Sequence, residues 1–206
     1  MILKTFFFKG LTGSLRGFLL IGLMSAALNT AAQSWQQAYN SAVQAYGNGD
    51  YQTAYASGEK ALSTASSTEQ KLYTLKLISA TCNESGNFEQ GLTYGAEEIS
   101  LCKTNEVADS VYINSLNTYV NNYLGLERYN EALPYQRELV SLGTKLYPVN
   151  DLSLNQYRSD LGYTLLMIED YDEAIQQLTE ASNQLAVIDG GAEDFIYNQL
   201  SIGQAY

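Results

Sequence analysis

From residue 33 onward the apolar residues recur at spacings of three and four. No stretch sustains the alternation of period two that a half-buried strand needs. Proline occurs only as Pro134 and Pro148. The pattern predicts helices over 34–47, 50–64, 68–84, 87–103, 106–125, 129–146, 151–168, 171–187 and 193–206. Residues 63–68 (Ser-Thr-Ala-Ser-Ser-Thr) and Asp189-Gly190-Gly191 read as linkers. Pro134 falls in the first turns of its helix, where a missing N–H matters less than at mid-helix.

The helices pair through turn-like segments that resemble one another: Gly49-Asp50-Tyr51, Gly86-Asn87-Phe88, Glu127-Arg128-Tyr129 and Glu169-Asp170-Tyr171. Their aromatic residues are separated by 37, 41 and 42 positions. Three residues after each aromatic stands Ala54, Gly91, Ala132 or Ala174, and nine before it Ala42, Ser79, Val120 or Gly162. In a helical hairpin those offsets let two helices approach closely, with the aromatic packed into the turn. Gly49 and Gly86 permit a positive φ, and Asp50 and Asp170 suit helix N-caps.

This pattern resembles the tetratricopeptide repeat (TPR), a helical hairpin with small residues on both helices and an aromatic at the turn. The best matches are Gly49-Asp-Tyr-Gln-Thr-Ala54 and Asp170-Tyr-Asp-Glu-Ala174, with Leu161, Gly162 and Leu165 on a first helix. Residues 128–139 (Arg-Tyr-Asn-Glu-Ala-Leu-Pro-Tyr-Gln-Arg-Glu-Leu) are similar to the longer repeat of kinesin light chains and of bacterial arrays attached to caspase-like (CHAT) domains. The resemblance covers 34–206 and implies an all-α, right-handed superhelical α-solenoid. Its repeats run at about 34–65, 68–103, 106–147 and 151–188, with the first helix of a fifth at 193–206. Two departures stand out. The first-helix Trp position is not Trp; Trp35 lies earlier and is expected to cover the end of the array. Gly91 and Gly95 are expected to make 87–103 the weakest helix, since glycine inside a helix costs about 1 kcal/mol against alanine.

Residues 1–32 are a different material. Lys4, Lys9 and Arg16 precede the apolar run 17–28, which gives way to Asn29-Thr-Ala-Ala-Gln33. That is the order of a signal peptide, with cleavage expected after Ala32 or, second, after Ala27. The run is short for a membrane crossing, which takes about 20 apolar residues; an uncleaved anchor is the alternative. The chain of 206 residues has 22 acidic and 11 basic side chains. Without the leader 8 basic residues remain, a net charge of −14. Such a chain is expected to avoid nucleic acid and anionic lipid. The expected location is periplasmic or extracellular.

The chain has no histidine, which excludes Ser-His-Asp and Cys-His catalysis and HExxH zinc sites. No phosphate-cradling glycine motif or nucleophile elbow occurs. Glu169, Asp170, Asp172 and Glu173 lack a calcium-loop pattern and read as a helix start. Glu97 and Glu98 are sequence neighbours that point in different directions from a helix, so they do not form an acid/base pair. Cys82 and Cys102 fall at opposite ends of one hairpin, about 15 Å apart along its axis and too far to bridge. Cys82 reads as a small buried residue and Cys102 as a free or semi-buried thiol. No catalytic residue, metal ligand or cofactor is expected.

In the TPR family the first helices line a concave groove. Aligned on that basis, the groove residues are Tyr39, Tyr46, Tyr73, Lys76, Asn83, Asn114, Asn117, Asn121 and Tyr163, with Val43, Ala80, Leu124, Gln156 and Ser159 beside them. Asn114, Asn117 and Asn121 form one helix stripe of a residue that disfavours helix, yet donates and accepts hydrogen bonds. Only Lys76 is positive there, unlike the basic clamp some members use for carboxylates. The expected function is an exported scaffold or adaptor that binds a protein or peptide, and not an enzyme. The alternative is the repeat arm of a longer protein with a caspase-like peptidase or sensor kinase domain. Ile196, Leu200 and Ile202 leave an apolar face on the last helix, and a third reading is homo-association through that face, which predicts dimers.

Overall fold

The computed structural model describes residues 33–188 and 190–205, so the expected leader at 1–32 lies outside it. Among the described residues there are nine α-helices and no strand. They are α1 (33–47), α2 (Tyr51–Thr64), α3 (Thr68–Glu84), α4 (Phe88–Thr104), α5 (Asp109–Gly125), α6 (Tyr129–Leu146), α7 (Leu152–Met167), α8 (Tyr171–Leu185) and α9 (Ala192–Ala205). No helix of the described residues is long and apolar enough to cross a membrane.

The first helix of each hairpin ends in the same way. One residue turns left-handed: Gly49 (φ 74°), Gly86 (75°), Glu127 (56°) and Glu169 (67°). The next N–H then reaches back five positions. Asp50 donates to the carbonyl of Ala45 at 2.9 Å, Asn87 to Cys82 at 2.8 Å, Arg128 to Tyr123 at 3.0 Å and Asp170 to Leu165 at 2.9 Å. This is the six-to-one bond of a Schellman turn, which satisfies a carbonyl the helix end leaves bare. Glycine makes the turn easy in two repeats; in the other two a glutamate adopts the same backbone. Asp50 caps α2, its carboxylate accepting from the N–H of Thr53 at 3.1 Å. Asp170 holds the corresponding position before α8 but makes no side-chain cap bond. The cap expected there is therefore absent, and the turn rests on backbone bonds.

The chain divides into two compact units at Thr74/Leu75, within α3. In the first, Trp35, Ala38 and Ala61 form a buried core. Ala42 and Ala54 are also buried, one from each helix. Trp35 stacks on Tyr39 at 5.0 Å and donates its indole N–H to Thr74 Oγ1 at 3.0 Å. It is 8% exposed and packs within that core.

In the second unit each helix from α4 to α9 packs on the next, and α7 also meets α9. Ser79, Val120, Ala132 and Ala174 are all at most 1% exposed. A Cβ on Gly162 would lie 2.6 Å from Leu178 Cγ, so α7 needs a hydrogen there to lie against α8. Phe88, an aromatic of the turn motif, presses on the backbone of Gly125 at the end of α5, where a Cβ would meet its ring at 2.3 Å.

Gly91 and Gly95 have a different meaning from the one expected. Helix α4 is unbroken across both. A Cβ on Gly91 would lie 2.0 Å from Asn122 Oδ1, and one on Gly95 2.6 Å from the Tyr119 ring. Two α5 side chains occupy the space the glycines leave. The lost helix propensity is thus exchanged for close packing.

Candidate functional site

The first helices α5, α7 and α9 each contribute side chains to one hollow of about 410 Å³. Asn117 and Asn121 come from α5, Gln156, Tyr157, Ser159 and Asp160 from α7, and Asp194 and Tyr197 from α9. Asp151 starts α7, accepting from the N–H groups of Ser153 and Leu154 at 2.9 and 3.3 Å. A turn and a half later Gln156 and Asp160 stand four apart, on one face. Gln156 Nε2 donates to Asp194 Oδ2 at 2.9 Å and ties α7 to the first turn of α9. Ser159 is held from behind by Asn198, whose Nδ2 donates to its hydroxyl at 2.8 Å.

Asp160 and Asp194 are the two charged residues that line the hollow. Asp160 keeps part of its surface exposed, yet its carboxyl is almost wholly surrounded by protein. No side chain of the described residues bonds to that carboxylate. Burial pushes the carboxyl up to about 6, and the Asp194 carboxylate pushes the same way. The hollow is therefore acidic, lined otherwise by amides, a hydroxyl and two phenols.

Of the residues expected to line a groove, the structure brings Asn117 and Asn121 together here, with Gln156 and Ser159. Asn114 is exposed, and its amide is turned onto its own helix, donating to the Ser110 carbonyl at 2.7 Å. Tyr163 lies between Tyr129 and Tyr197, at 6.2 and 5.7 Å. Asn83 is half-buried at the end of α3. Lys76 is also half-buried, and its charge acts on Glu98. In the first unit Tyr39 lies against Trp35 and Tyr73, Tyr46 packs edge-on against the turn residue Tyr51, and Tyr73 is 48% exposed. Tyr157, Asp160, Asp194 and Tyr197 also line the hollow and are not among the expected residues. Asp160 follows Gln156 by four, and Tyr197 follows it by the 41-residue period, so face and period together point to both.

A second group of reactive side chains is closed off. Glu98 is 1% exposed, and the Ser115 hydroxyl donates to its Oε1 at 2.5 Å. The Cys102 thiol lies 3.8 Å from that hydroxyl. Burial pushes the Glu98 carboxyl up to about 7 and raises the Cys102 thiol as well. A thiol held protonated and 2% exposed is a poor nucleophile. Cys102 is thus fully buried rather than semi-buried, and it is not bridged to Cys82. On α9, Ile196 and Leu200 are 58% and 65% exposed, whereas Ile202 is half-buried.

The fold these helices make is that of TPR-like α-solenoids. BtubC (BKLC) from P. vanneervenii superposes with a TM-score of 0.70 at 14% identity, over 87% of this chain and 81% of its own. The nearly identical TPR-like repeats of a kinesin light chain candidate from Podosopora anserina give 0.68 at 14% identity, over 83% and 84%. A mutant of MamA gives 0.55 at 14% identity, over 83% and 89%. No family model and no curated protein matches the sequence. These likenesses show a TPR-like repeat fold.

Proposed function

We propose that this chain is an exported, non-enzymatic scaffold that holds an extended segment of a partner protein over α5, α7 and α9. The observation that carries this reading is the hollow itself, which gathers amide, hydroxyl and carboxylate side chains from three successive first helices. Asn117, Asn121 and Gln156 suit a peptide backbone, because a carboxamide both donates and accepts. The volume lies at the lower end of the range for ligand pockets, about 300–1,000 Å³, and matches a short stretch of chain.

Selection of peptides from a display library on the immobilised chain tests the proposal. Binders are expected to lose at least tenfold in affinity against Asn117→Ala/Asn121→Ala, with helicity and melting unchanged. Binders indifferent to that double change would place the partner elsewhere and end the reading. Export rests on the basic and apolar order of residues 1–32. A reporter enzyme active only outside the cytoplasm, fused behind residue 40, is expected to gain activity. For α9 the proposal includes self-association through Ile196 and Leu200. Light scattering across concentrations checks it, and a constant monomer mass removes that part.

A further inference from the structure

We propose that the hollow between α5, α7 and α9 is a receptor for one cationic side chain, an arginine or lysine of the partner segment, seated between Asp160 and Asp194. This rests on the peptide-binding reading above and names the residue type that reading leaves open.

The first support is the deep carboxylate. Asp160 is half-buried and lines the hollow, its carbonyl accepts from Gln136, and its carboxylate has no hydrogen-bond or ion-pair partner among the described residues. Buried carboxylates are ordinarily paired. A guanidinium or ammonium group entering from the hollow would supply the missing partner. The cost of keeping this carboxylate recessed, visible in its raised pKa, would be relieved on binding.

The second support is where the protein keeps its own cations. In this unit they are Lys76, Lys103, Arg128, Arg137, Lys145 and Arg158, and none lines the hollow. Arg128, Arg137 and Lys103 pair with Glu89, Glu173 and Glu138, all between the second helices α4, α6 and α8 or their caps. Arg158, though on α7, is 3.9 Å from Glu180 of α8 and donates to Asn155. Four second-helix acids, Glu89, Glu138, Glu173 and Glu180, thus have a basic partner, while Asp160 and Asp194 line one hollow without a counter-charge. Gln156 fixes one oxygen of Asp194 and leaves the other available. Tyr197 and Tyr157 on the walls offer ring surface to a cation.

The test uses the full-length chain, labelled with ¹⁵N, and two blocked pentapeptides. One is acetyl-Gly-Ser-Arg-Ser-Gly-amide; the other carries citrulline, which has the same shape without the charge. The arginine peptide is expected to shift the side-chain amide signals of Asn117, Asn121 and Gln156 at low salt, at least fivefold more tightly than the citrulline peptide. Asp160→Asn is expected to abolish that preference while raising the melting temperature at pH 7.5, because it removes a recessed charge. A residue that served only the fold would lower both. Asp194→Asn, at the rim, should weaken the preference without a change in folding and serves if Asp160→Asn misfolds. Equal binding of the two peptides would overturn the cation receptor and leave groove binding standing. Shifts from neither peptide at these amides would overturn both.

Discussion

The carboxamide of Asn198 on α9 donates to the hydroxyl of Ser159 on α7 across 2.8 Å, with both residues buried. An equivalent device joins α5 to α3: Asn122 Nδ2 lies 3.3 Å from Ser79 Oγ, which in turn donates to the Gly91 carbonyl at 3.0 Å. Two pairs of first helices, α3 with α5 and α7 with α9, are thus tied by buried Asn–Ser bonds. Because Ser159 also lines the acidic hollow, the bond from Asn198 helps hold the receptor's wall in place.

Replacing Asn198 by alanine is expected to destabilise the chain by about 1–2 kcal/mol, since the buried bond to Ser159 is lost and that hydroxyl keeps only its own donation to the Asn155 carbonyl. Urea unfolding measures this. Ser159→Ala combined with Asn198→Ala should cost less than the two single changes summed, and simple additivity would mean that the bond carries no energy of its own.

Glu98 predicts a pH dependence. Its carboxyl rises from 4.5 to about 7, chiefly through burial, with the Ser115 hydrogen bond and the Lys76 charge opposing. Between those values the folded chain binds more protons than the unfolded one. Stability therefore falls as pH rises from about 4.5 to about 7, and is flat above that as far as this group is concerned. At about 1.4 kcal/mol per pH unit the loss is about 3 kcal/mol. Asp160 acts in the same direction, between 3.8 and about 6. Glu98→Gln should flatten most of the slope in thermal melts from pH 4.5 to 7.5. An unchanged slope would mean that Glu98 is ionised at no cost in the fold.

Gly91→Ala sets helix propensity against packing. Propensity alone favours the alanine by about 1 kcal/mol. The new methyl, however, would fall 2.0 Å from Asn122 Oδ1. Overpacking of this kind should prevail, with a net loss of about 2 kcal/mol. Adding Asn122→Ala should restore part of it, and denaturant midpoints of the three variants decide.

Glu127 and Glu169 hold backbone that L-residues rarely adopt, at a cost of about 1–2 kcal/mol each. Glycine at either place should stabilise by about 0.5–1 kcal/mol once its greater freedom in the unfolded chain is counted. The same change at Asn130, which is exposed and helical, should destabilise. A melting series on the three variants tests this.

The period of 37 to 42 residues and the spacing of small residues made the hairpins legible. Helix–turn–helix geometry is local, so aromatic, Schellman and small-residue positions repeat in the chain as they repeat in space. Asn117 and Asn121 were legible for the same reason, since a stripe three or four apart is one face of one helix. The roles of Gly91 and Gly95 were not, because propensity counts a glycine's cost within its own helix and cannot see the Asn122 and Tyr119 side chains that fill the gap. Glu98 was equally hidden: its neighbour Glu97 is exposed, and only the packing of α4 on α5 sets one carboxyl against Ser115 and leaves the other in water.

Sequence by itself therefore determined the helices, their pairing and the absence of any histidine-based chemistry, all of which follow from local geometry and composition. The three-dimensional packing decided which polar residues lie inside and which acids share a cavity. Asp160 and Asp194 are 34 positions apart and on different helices. Their electrostatic coupling arises only once α7 and α9 pack together, and no one-helix periodicity encodes it.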